Sequence, residues 1–140
     1  MRQQRGGFAY TAGACSAPGR FDMKVVRNGE APEAAANSPL FVGVAHASRL
    51  VTAEDSAQVT VSLVRFTSGG RNRFHVHGAD QVLCITEGRG IVADSEHEHH
   101  VTAGDIVHVP AGERHWHGAE EGHDMAHLSI LPPCETKVAE

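Results

Sequence analysis

Long apolar runs are missing from this chain: no stretch of about eighteen apolar residues occurs, so no membrane-spanning helix is encoded and no membrane partner is expected. Basic charge is also scarce. Lys and Arg total 12 against 17 Asp and Glu, and no segment carries a basic stripe able to track phosphates, which argues against nucleic acid as a partner. The three cysteines, Cys15, Cys84 and Cys134, are widely spaced, odd in number and form no CxxC pair. That usage speaks against a disulfide framework and against a thiolate zinc site, and suits a reducing cytoplasm. Residues 1–20 carry basic and small side chains but lack the apolar h-region of a secretory signal. Residues 1–22 are expected to form a disordered tail ahead of Met23, itself an alternative start, and 23–140 to form one domain.

What the chain has in excess is histidine: eleven, beside one Trp and one Tyr. Imidazole titrates near neutral pH and is the commonest metal ligand, so such abundance calls for a chemical reason.

From Val59 onward, short stretches rich in Val, Ile, Leu, Thr and Phe alternate with glycine-bearing turns at roughly eight- to twelve-residue spacing. This rhythm predicts strands over 59–66, 73–77, 81–86, 90–93, 99–102, 106–109, 115–119 and 125–131, with the barrel core about 59–131. The turns between them include Glu87-Gly88-Arg89-Gly90 and Pro110-Ala111-Gly112-Glu113, where glycine supplies positive φ and proline ends a strand. Upstream, 40–45 and 49–52 read as edge strands, and the alanine-rich 30–37 as one helical turn. Short strands without a long helical period favour an all-β sandwich or a closed barrel.

His75 and His77 are two apart, which on a strand turns both imidazoles to one face. Gln81 follows a Gly78-Ala79-Asp80 turn that brings its amide alongside, and His115 sits after the Pro110-Ala111-Gly112 turn. Together they make a candidate four-ligand site for one divalent ion.

At these residues the chain resembles the cupin family. The first motif stands as Gly70, His75-Val76-His77, Gln81 and Gly88, the second as Gly104, Pro110-Ala111-Gly112 and His115. The resemblance implies a double-stranded β-helix (jelly-roll) barrel with a metal near its mouth, and a homodimer. The chain departs from the commonest pattern in having Gln81 where most metal-binding cupins have Glu, and Ala119 where many have Asn. Three imidazoles and an amide leave the whole +2 charge on the ion, which favours Lewis-acid chemistry over oxygenase chemistry. The ion is expected to be manganese, zinc or iron, with nickel or copper also compatible with the donors. The strings around His75, around His115-Trp116-His117-Gly118-Ala119 and around Met125-Ala126-His127-Leu128 are similar to those of cupin hydroxynitrile lyases, cupin-type polyketide cyclases and carboxymuconolactone decarboxylase-related cupins. That likeness implies lyase, isomerase or cyclase chemistry on a small oxygenated acid or carbonyl compound. A dioxygenase or a metabolite-binding module are the alternatives.

The likeness to the lyases marks His127 as the base, with His117, in phase with His115, as its support. His127 also reads as a core histidine bonded to a backbone carbonyl. Arg71 and Arg73 share strand parity with His75 and His77, so a regular strand would aim them inward to clamp a substrate carboxylate. A single bulge would reverse that facing and leave both at the rim. The segment 95–100 reads as a solvated hairpin tip, and Cys84 as a small buried hydrophobe.

Overall fold

The computed structural model describes residues 23–140; the expected tail, 1–22, lies outside the described residues. Ten strands and no helix are found among them: β1 (Ala34–Ala35), β2 (Phe41–Val51), β3 (Thr60–Asn72), β4 (His75–His77), β5 (Gln81–Ala93), β6 (Glu98–Thr102), β7 (Ile106–Val109), β8 (Trp116–Ala119), β9 (Met125–Leu131) and β10 (Thr136–Val138). Every pairing is antiparallel. Among the described residues no helix is long and apolar enough to cross a membrane.

Two long strands organise the barrel. β3 pairs along its length with β2, and β5 pairs with β7 at its start and β6 at its end. β8 and β9 each pair with both β3 and β5, and this double bonding rolls the sheet closed. The architecture is the closed all-β barrel that the short-strand rhythm implied, with the jelly-roll form that the resemblance to cupins implied.

Several elements are longer than the sequence suggests. The separate strands expected over 81–86 and 90–93 are one strand, β5, which bends at Glu87-Gly88 instead of turning. The register against β9 shifts between Ile85 and Glu87, which leaves Thr86 as the extra residue; Gly88, at φ 75°, is back in register opposite Met125, and Arg89 N–H donates to the Asp124 carbonyl at 3.1 Å. A bulge therefore stands where glycine had signalled a turn. The edge strands expected over 40–45 and 49–52 merge into β2, with Gly43 at φ 78° taking up the irregularity. The helical turn expected over 30–37 is replaced by β1, because pairing with Ala47 and His46 satisfies its backbone and sets Ala36 against the core.

Side chains on the inward faces grade along the barrel. Phe66, Leu83, Ile85 and Met125 are fully buried and, with Val64 and Val92, make an apolar floor. The same faces then turn polar, with Gln81 beyond Leu83 and with His127 and Ser129 beyond Met125. Period-two alternation carries both sets inward on the same strands.

Gly118 is where β8 passes closest to β3. A Cβ there would lie 2.3 Å from Arg71 Cβ and 2.6 Å from the Gly70 carbonyl oxygen. Gly118→Ala is expected to force the strands apart and cost about 2–3 kcal/mol in denaturant unfolding. Gly122→Ala, at φ 74° with no neighbour within 4 Å, should lose only about 1 kcal/mol.

Candidate metal centre

The two halves of the histidine pattern meet through the backbone. His75 N–H donates to the His115 carbonyl at 2.9 Å and His115 N–H returns the bond at 3.0 Å, an isolated bridge between β4 and the residue that precedes β8. Asp80, in the turn after β4, stitches the second connection: its Oδ1 accepts Ala111 N–H at 2.9 Å and its Oδ2 contacts His108 Nε2 at 2.8 Å. β10 then covers the outer edge of β4, with Thr136 opposite His77.

These contacts place His75, His77 and His115 so that one nitrogen from each lies within 4.8 Å of the others. All three rings are anchored by the far nitrogen. His75 Nδ1–H donates to the Arg73 carbonyl at 2.7 Å and His115 Nδ1–H to the Glu113 carbonyl at 2.8 Å, while His77 Nδ1 meets Thr136 Oγ1 at 2.9 Å. A carbonyl only accepts, so His75 and His115 are Nδ1–H tautomers with the Nε2 lone pair free. This is the outer-shell arrangement of metal-bound histidine.

Gln81 supplies the test of fit. Its Nε2 donates to Ser129 Oγ at 2.8 Å, which turns Oε1 toward His115. His115 Nε2 and Gln81 Oε1 then face each other at 3.1 Å, each offering a lone pair. With the amide turned this way two buried acceptors face each other, an arrangement that a cation lying against both would relieve. A proton does not suit, since burial lowers the His115 pKa. His77 Nε2, buried without a hydrogen-bond partner, points to the same requirement. The residues fit a divalent ion held by three imidazoles, and the amide oxygen is positioned to complete the set.

Two more histidines line the cavity beside this cluster, but neither bonds to it. His117 packs with its ring centroid 5.6 Å from that of His75, and His127 lies behind it at 4.7 Å, stacked in turn on Phe66 at 5.8 Å. Both are buried, and none of their four ring nitrogens has a hydrogen-bond partner. The cavity they face measures about 890 Å³ and opens between β1, β2 and the segment after β9.

The expected inward facing of Arg71 and Arg73 is corrected by the structure. The chain breaks its extension at Arg73-Phe74, between β3 and β4, so that Asn72 turns inward and the arginines outward. Arg71 lies over the Trp116 ring at 4.6 Å; Arg73 donates to the Pro39 carbonyl at 3.0 Å and pairs with Glu140 at 3.2 Å. Neither lines the cavity. Asn72, unremarked in the sequence, holds β8 in place by accepting His117 N–H at 2.9 Å. Ser129 and Thr136 are likewise positioning residues that no motif marks. Around 95–100 the tip is solvated as expected, with Asp94 accepting the Glu96 and His97 amides. Cys84, expected to be buried, is only half-buried, because it alternates with the inward Leu83 and Ile85 on β5.

Burial pushes the histidines toward neutrality: His75 down to about 3, His77 to about 4 and His127 to about 4, the first two aided by the neighbouring His115. His117 is driven well below its ordinary value by burial and then by His127. In the unfolded chain these groups take up protons near pH 6.5. Between there and about pH 4 the unfolded state binds more protons, so stability is lost as pH falls. Chelator-treated protein should therefore melt at progressively lower temperature from pH 6.5 to pH 4; a flat profile in differential scanning calorimetry would contradict the burial of these rings as neutral groups. In the same material, Thr136→Val should weaken manganese or zinc binding about tenfold in titration calorimetry by freeing the His77 ring.

Comparison with known proteins agrees with this geometry. The family model described as a cupin domain matches residues 62–131, which takes in β4 and the His115 bridge. The chain is 30% identical to the (R)-mandelonitrile lyase of Granulicella tundricola over 119 residues, spanning 84% of this chain and 91% of that one. A cupin-like protein from Thermotoga maritima superposes with a TM-score of 0.69 at 28% identity, covering 75% of this chain and 84% of that one. The polyketide cyclase RemF from Streptomyces resistomycificus superposes at 0.76 with 16% identity over 85% and 87% of the two chains, a likeness of fold alone. With its two motifs joined at one histidine cluster inside a jelly-roll barrel, the chain belongs to the cupin family.

Proposed function

We propose that this cupin is a metal-dependent enzyme of the lyase, isomerase or cyclase type, acting without redox change on a small oxygenated acid or carbonyl compound. The observation that carries the proposal is the pairing of two features at one cavity: a ligand set without negative charge, and a buried histidine pair whose ring nitrogens have no partner. His75, His77, Gln81 and His115 are the ligands. When bound, a manganese, zinc or iron ion supplies Lewis acidity toward a substrate oxygen.

His127 is assigned the proton transfer. Kept neutral by burial, it offers a lone pair to a substrate hydroxyl or activated C–H, and it returns the proton to the departing or rearranged group. His117 separates His127 from the ligand cluster and sets the orientation of its ring through the edge-to-face contact at 4.7 Å. The apolar floor beneath Phe66 keeps water from competing for that lone pair. The resemblance to a protein named as a mandelonitrile lyase supports carbon–carbon cleavage beside an oxygen as the first reaction to try.

Protein purified without chelator should carry about one equivalent of metal by elemental analysis. His115→Ala should lose most of it, and Gln81→Ala part of it. Under strict anaerobiosis, cleavage of (R)-mandelonitrile to benzaldehyde and hydrogen cyanide should proceed as fast as in air, and His127→Gln should lower kcat by about 10²-fold or more with metal content unchanged. Activity that stops without oxygen would point to a dioxygenase instead. A parent protein that holds no metal and takes up none of manganese, zinc or iron would overturn the proposal.

A further inference from the structure

The inward face of β2 reads Ala45, Ala47, Arg49 and Val51, so one arginine interrupts a wall of small apolar residues. Ala45 lies in the core and Ala47 packs against it, and Arg49, two residues on, lines the cavity at its rim with its side chain exposed. Among the described residues that line the cavity it is the sole Lys or Arg, and none of them is Asp or Glu. No acidic side chain among the described residues is within ion-pair distance of it. Glu30, which shares the shallow groove on the other side of Arg49, accepts the Arg27 backbone amide at 2.8 Å.

The sheet register extends this single charge into a polar row. Arg49 is opposite Ser62 on β3, Ser62 is opposite Ser129 on β9, and Ser129 holds the Gln81 amide. All four line the cavity. The adjacent row is Ala47, Val64 and His127, apolar until it reaches the histidine; on the other side, the Thr60 hydroxyl is spent on the Leu131 carbonyl at 2.8 Å. With strands about 4.8 Å apart, Arg49 and Ser129 are about 10 Å apart across the wall. The row thus runs from the rim to the ligand cluster over the length of a small substrate.

We propose that Arg49, with Ser62 beside it, anchors the carboxylate of a substrate whose reacting oxygen lies at the histidine cluster. This rests on the proposed function and narrows its substrate class to oxo or hydroxy acids whose carboxylate is remote from the reacting oxygen. A guanidinium fork and one hydroxyl match a planar monoanion, whereas a phosphate dianion calls for a second cation that the cavity does not provide. The carboxylate clamp sought at Arg71 and Arg73 is found on another strand.

The test is binding of 5-oxohexanoate against its methyl ester by titration calorimetry, in metal-loaded protein and again after chelator treatment. The parent should prefer the acid by about tenfold in both states, the value of one charge-assisted contact. Arg49→Ala should reduce that preference to about one, and Arg49→Lys, which keeps the charge but not the fork, should fall between. Melting temperatures of the variants check folding, and elemental analysis of the parent separately tests the metal reading. No acid preference in the parent, or a preference that survives Arg49→Ala, overturns the assignment whatever the metal content.

Discussion

Two backbone hydrogen bonds between His75 and His115 hold the centre together, and much else in the barrel is arranged so that they can form. The residues they join are forty apart in sequence and belong to opposite ends of the two motifs. To meet, β5 must run its full length, return through β6 and β7, and leave the Pro110–Gly112 turn tied to Asp80. Once the bridge is in place, each ring is oriented by the backbone carbonyl two residues upstream, that of Arg73 for His75 and of Glu113 for His115. Local backbone therefore sets the tautomer, and long-range pairing sets the position.

That economy explains why the barrel can afford five buried histidines in one region. A buried imidazole without a partner is a loss to stability, offset here by the apolar floor of Phe66, Leu83, Ile85 and Met125. Burial also keeps the rings neutral, so the same desolvation that costs stability leaves their lone pairs unprotonated, as the proposed function requires. Stability and chemistry draw on the two ends of one hydrophobic gradient.

The fold and the histidine cluster were legible in the sequence, the strands from short-range rules and the joining of His115 to His75 and His77 from the two cupin motifs. Period-two spacing put His75 and His77 on one face, and glycine and proline marked most strand ends. What was not legible depended on where extension is interrupted. Arg73-Phe74 breaks the strand and sends Arg71 to Trp116, while Glu87-Gly88 reads as a turn but only bends β5. Neither break has a signature distinct from an ordinary strand or turn residue. Asn72, Ser129 and Thr136 escaped notice for another reason: their partners are 45, 48 and 59 residues away, and common polar side chains carry no spacing pattern.

The placement of charge follows from the same distinction. Gln81 in place of an acidic ligand leaves the histidine cluster without negative charge, and the cavity wall adds none. Were the wall wholly neutral, selection among substrates would fall to shape alone, and a barrel lined by alanine and valine discriminates shape weakly, by about 1–3 kcal/mol per methylene. On the proposed assignment Arg49 changes that balance because it stands at the rim, two strands from Ser129, which holds the Gln81 amide, and its field would add to that of a bound cation with no carboxylate of the described lining between them. On that assignment an anionic substrate would meet positive charge at both ends of the polar row, and its orientation would be set before the reacting oxygen reached the histidines.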